Sequence, residues 1–72
     1  MVNGLSMKIN SKIKVKYIGE SDPLMLIHNK IYNARILAPD KQGHNWFGVI
    51  DEAKDEYAYP PELFEIVDEN GK

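Results

Sequence analysis

The chain of 72 residues contains no cysteine. This excludes disulfide staples, thiolate zinc sites and a cysteine nucleophile, and leaves folding to hydrophobic packing or self-association. Long apolar runs are missing too. The longest, Leu24-Met25-Leu26-Ile27, falls far short of the roughly 20 residues that cross a bilayer as a helix. With no membrane span and no secretion signal, residence in the cytoplasm is the expectation. There is no glycine-rich phosphate loop, and no serine stands at a recognisable spacing from a histidine and an acid. A chain this short buries only about 60% of its extended surface, which makes one thin core. The interior of so small a domain is filled by its own side chains, so we expect neither catalysis nor a cofactor.

What the chain does have is charge, unevenly placed. The formal net charge is -2. Residues 1–41 carry seven Lys/Arg against three Asp/Glu, while residues 42–72 carry two against eight. An acidic patch from Asp51, Glu52, Asp55, Glu56, Glu62, Glu65, Asp68 and Glu69 is expected on a dipolar surface. Such a balance argues against a general nucleic-acid binder, which presents a net basic footprint.

Strand signals recur about every ten residues. Lys12, Lys14 and Lys16 alternate with Ile13, Val15 and Tyr17, the period of two of a half-buried strand, over Ser11 to Ile18. Gly19 to Pro23 ends it with turn formers. Leu24-Met25-Leu26-Ile27 reads equally as a short strand or a helical turn. Ile31 to Ala38 reads as a second strand, although Ala34, Arg35, Leu37 and Ala38 also favour helix. Pro39 to Asn45 is a hairpin loop, Trp46 to Ile50 a third strand and Tyr57 to Tyr59 a fourth. Pro60 and Pro61 stop that strand and suit a short 3₁₀ turn reaching Phe64. Phe64 to Val67 alternates again. The spacing fits an all-β domain over residues 11–67, with residues 1–10 a flexible leader or first edge segment and 68–72 a disordered tail. Met1 to Ser6 reads as a loose leader ahead of a second plausible start at Met7.

These stretches together resemble a group of small bacterial and phage proteins of no assigned biochemistry. The likeness rests on Lys12 to Ile18, Lys30 to Leu37, Trp46 to Asp51 and Tyr57 to Val67, and spans most of the chain. It implies a small five-stranded Src-homology-3-like (SH3-like) barrel with a short 3₁₀ turn before the last strand, and it brings no catalytic residues. Peptide-binding Src-homology-3 domains carry paired tyrosines and a tryptophan doublet that line a groove for proline-rich peptides. Here Tyr17 stands alone and Trp46 is followed by Phe47.

Alternate residues of a strand face opposite ways, so Trp46 and Phe47 cannot both be core. We expect Phe47 and Val49 inside and Trp46 outside or at the rim, where its indole N–H finds a partner. An exposed aromatic beside opposed charges makes a protein partner, or a second copy of the chain, the leading expectation. Its surface would be Trp46, Tyr57 and Tyr59 with Asp51, Glu52, Asp55 and Glu56. The alternative is weak nucleic-acid binding through Lys8, Lys12, Lys14 and Lys16 with Tyr32 and Arg35 on the neighbouring strand. His28 and His44 read as loop residues in water rather than metal ligands. The carboxylates from Asp51 to Glu56 lack the glycine and terminal glutamate of a calcium loop, and read as a solvated turn.

Overall fold

The structure, a computed structural model, describes residues 9–68. Expectations for Met1 to Ser6, Met7, Lys8 and the tail beyond Asp68 lie outside the described residues. The elements are β1 (Lys12–Tyr17), β2 (Ile31–Ile36), β3 (Phe47–Ile50), β4 (Glu56–Tyr59), a 3₁₀ turn (Pro61–Leu63) and β5 (Phe64–Asp68). The chain is all-β, and β2 resolves the strand-or-helix ambiguity of its sequence in favour of the strand. Asp68, expected in the tail, closes β5.

All five strands are antiparallel in one sheet, ordered β4-β3-β2-β1-β5. Among the described residues the sheet does not close into the expected barrel, because no ladder joins the edge strands β4 and β5. Pro60 and Pro61 have no N–H to extend a ladder, so the chain leaves β4, makes one 3₁₀ turn and pairs with β1 on the far side. Side chains close the gap instead. The ring of Phe64 on β5 lies 6.1 Å from that of Tyr59 on β4, 6.2 Å from Phe47 on β3 and 5.6 Å from Tyr17 on β1.

The core is the inner face of this curled sheet: Ile13, Val15 and Tyr17 of β1, Tyr32 and Ala34 of β2, Phe47 and Val49 of β3, Phe64 of β5, and Leu26. Phe47 and Val49 therefore face inward. Ile36 and Ile66 are half-buried and pack against this cluster. Leu24 to Ile27 is neither strand nor helix. The Asp22 carbonyl accepts from the N–H groups of Met25 and Leu26, each at 2.8 Å, and the Asp22 N–H donates to the Leu26 carbonyl at 2.6 Å. This doubled-back turn sends Leu26 into the core and leaves Leu24 at its tip, 80% exposed. Among the described residues no helix is long and apolar enough to cross a membrane.

Candidate functional site

The loop from Leu37 to Trp46 is built around Asp40. One carboxylate oxygen accepts from the N–H groups of Gln42 and His44, both at 2.9 Å, and the other accepts from the Trp46 indole N–H at 3.1 Å. Gly43 completes the turn at φ 83°, where a side chain is disfavoured, and donates its N–H to the Asp40 carbonyl. The bonds from His44 and then Trp46 hold the Asp40 carboxyl below its ordinary range. Trp46 is thereby fixed half-buried at the rim, just before β3. It walls an open cleft of about 460 Å³ with Gly43, His44, Asn45, Pro60 and Glu62.

The acidic segment lies at the other end of β3, roughly 16 Å of extended chain from Trp46. The structure thus separates Trp46 from the acidic part of the expected interaction surface, while Tyr57 and Tyr59 stay beside it on β4. Asp51, expected on that surface and in a solvated turn, is only 2% exposed. Its carboxylate accepts from the Tyr59 hydroxyl at 2.7 Å and the Ala53 N–H at 3.0 Å, so it organises the β3–β4 turn from inside. Tyr59 is half-buried and committed to this bond and to the Phe64 ring, whereas Tyr57 is half-exposed. Glu52 accepts from the Tyr32 hydroxyl at 2.6 Å and pairs with Lys30 at 2.7 Å, while its N–H donates to the Met25 carbonyl. These bonds staple the β1–β2 loop to the β3–β4 turn. Asp55 and Glu56 remain on the surface, and Glu56 is engaged by Arg35.

The basic face also divides. Lys12, Lys14 and Lys16 point outward from β1, and Arg35 points outward from β2 directly opposite Lys12. Tyr32 does not join them. It is 6% exposed on the inner face, because three residues along a strand reverse the side-chain direction. Its hydroxyl accepts from the Ile27 N–H and donates to Glu52, and the Lys30 ammonium lies 5.7 Å from the ring centroid, so this buried ring is not offered to a base. Lys16 lies 3.6 Å from Glu65. The Arg35 guanidinium forks onto Glu56 through Nε at 3.0 Å and Nη2 at 2.7 Å, and Nη1 donates to the Asn10 side chain.

Comparison with family models, curated proteins and solved structures returns no match.

His28 and His44 serve separate loops. His28 Nδ1 sits 2.8 Å from the Gly19 carbonyl, and His44 Nδ1 sits 3.5 Å from Asp40. Among the described residues no three His, Asp or Glu side chains converge as metal ligands would.

The staples set a pH dependence. Lys30 and then Tyr32 hold the Glu52 carboxyl below its ordinary range, and Arg35 does the same for Glu56. A carboxyl lowered on folding stabilises the fold above its unfolded value, about pH 4, and that contribution fades as pH falls through the folded value. Tyr32 runs the other way. Burial first, then the Glu52 bond, push its phenol from 10.0 up to about 12. This contribution is intact below pH 10 and is lost as pH rises through about 12. Thermal melts should therefore plateau from about pH 5 to 9 and fall on both sides, with a late phase in the ultraviolet tyrosinate titration. A melting temperature unchanged between about pH 5 and 2 would refute the carboxylate staples.

Proposed function

We propose that the chain is a non-catalytic Src-homology-3-like module that binds an extended segment of a partner protein at the Trp46 cleft. The fold part of this reading is supported by the strand order, in which a 3₁₀ turn precedes a last strand that returns to the first. The observation that carries the binding part is the bond that the Trp46 indole N–H donates to Asp40 at the wall of an open cleft beside Pro60. Tryptophan supplies large contact area, and a ring already held in place loses little freedom on binding. The acidic hairpin tip stands apart from this cleft, so it steers approach rather than making the contact.

Trp46 is the only tryptophan, so its emission reports the cleft directly. Peptides selected from a displayed random library against the whole chain should shift that emission saturably. Trp46→Ala has no tryptophan left to report, so its affinity is read from the anisotropy of a labelled peptide; it should be weaker by about tenfold or more, some 1.4 kcal/mol, with a cooperative thermal melt retained. Peptides that bind the variant as tightly as the parent would refute the assignment. A shift in sedimentation with protein concentration, and no selected peptide, would replace it with self-association.

A further inference from the structure

We propose that the outer face of the sheet is a second binding site, for a flat anionic ligand of nucleotide size, in the cleft lined by Lys12, Asn33, Arg35, Gly48, Ile50 and Glu56. The cleft measures about 400 Å³, within the range of small-molecule sites, roughly 300–1,000 Å³. It shares no residue with the Trp46 cleft and stands or falls separately.

β3 places a glycine in the floor, and the Glu56 side chain occupies the space a Cβ would take. Gly48 lies opposite Arg35 on one side and Ala58 on the other, and a Cβ on it would meet Glu56 Oε2 at 2.8 Å. The missing side chain lets the Glu56 carboxylate lie across the strand and hold Arg35. With Nε, Nη1 and Nη2 all donating to Glu56 and Asn10, the guanidinium plane is fixed. Yet the Arg35 side chain remains 42% exposed. What it can offer a ligand is its flat face, on which a planar ring stacks. Ile50, 38% exposed, supplies apolar wall beside it.

The anionic part follows from charge. Lys12 and Arg35 are directly opposite across β1 and β2. Like charges in that arrangement repel. The other cations of β1 have acidic neighbours, since Lys16 pairs with Glu65 and Lys14 faces Asp68 in register. Glu56 answers Arg35, and among the described residues no ion pair answers Lys12. A phosphate or carboxylate seated at Lys12, on a ring stacked over Arg35, relieves that repulsion and uses the stacking face together. Asn33, exposed two residues from Arg35 on the same outer side of β2, can donate to and accept from the ring edge.

The test is titration of the whole chain, followed by backbone amide shifts and melting temperature. Adenosine monophosphate should bind saturably, with a Kd on the order of 1 mM or tighter, shifting Ala34, Gly48 and Ile50 most and raising the melting temperature. Adenosine and inorganic phosphate should each bind about tenfold more weakly or worse, since each supplies one half of the recognition. Lys12 is exposed, so Lys12→Glu should keep the fold and lose the effect of the monophosphate, while Lys12→Arg keeps it. A short single-stranded oligoadenylate tells the sources apart. Tighter binding per nucleotide than the monophosphate assigns a strand, and weaker binding assigns the free nucleotide. Equal binding of phosphate and monophosphate, no saturable shift at the cleft, or full binding by Lys12→Glu would each overturn the proposal.

Discussion

Phe64→Ala should unfold the chain at room temperature or leave it barely folded. The Phe64 ring is the meeting point of the curled sheet, in tilted contact with Tyr17 and Phe47 and edge contact with Tyr59, which belong to three other strands. Removing a buried phenylalanine costs about 3–5 kcal/mol, from lost transfer energy and the cavity left behind. Total stability for a domain of this kind is on the order of 0.05–0.15 kcal/mol per residue. The substitution therefore consumes most or all of it. Here the cavity also removes the ring contact between β4 and β5, which no backbone ladder joins among the described residues. Phe47→Ala removes a ring with one aromatic neighbour rather than three, so it should cost less than Phe64→Ala, though within the same range. Urea unfolding of both variants measures the order. If Phe64→Ala melted within a few degrees of the parent, closure by this ring would be wrong.

The strands were legible because one physical rule wrote them. Where polar and apolar residues alternate cleanly, as from Lys12 to Tyr17, the buried face follows from the period alone. The same rule placed Phe47 and Val49 inside and Trp46 at the rim, and it found Phe64 and Ile66 on one side of β5. Closure was not legible. Whether two edge strands hydrogen-bond or meet only through side chains depends on where the chain crosses, and local pattern carries no record of that. Leu26 was hidden for a related reason. It is buried by a turn that Asp22 folds through backbone bonds, and four consecutive apolar residues do not say which one turns inward.

The candidate site divides along the same line. Tyr32 and Arg35 stand an odd number of residues apart on one strand, so period two already sets them on opposite faces; that signal was available. Asp51 gave no such signal. An aspartate at a hairpin tip reads as solvated, and only the fold brings Tyr59, eight residues on, to cover it. Asp40 likewise gains its role from a loop that returns Trp46 to it. Charge asymmetry in the sequence did point to real contacts. The basic first half and acidic second half meet in the Lys30–Glu52, Arg35–Glu56 and Lys16–Glu65 pairs, so much of the expected dipole is neutralised within the fold.

The second large effect belongs to Tyr59→Phe, which removes one oxygen. The phenylalanine keeps the edge contact with Phe64, 6.1 Å between centroids, so packing is held constant. Asp51, 2% exposed, then keeps the Ala53 N–H as the one hydrogen-bond donor to its carboxylate among the described residues. A buried carboxylate oxygen that loses its partner bears the desolvation cost without the bond, about 1–3 kcal/mol. Burial first, and then the Asp51 carboxylate, push the Tyr59 phenol above its ordinary value, so the bond that is lost is to a firmly protonated donor. Tyr57→Phe is the matched control, since Tyr57 lies on the same strand and is 50% exposed. It should change stability by less than about 0.5 kcal/mol. Urea midpoints for the two variants should therefore separate clearly, with Tyr59→Phe the lower. If they coincide, Asp51 is satisfied without the tyrosine, and the turn it organises owes nothing to β4.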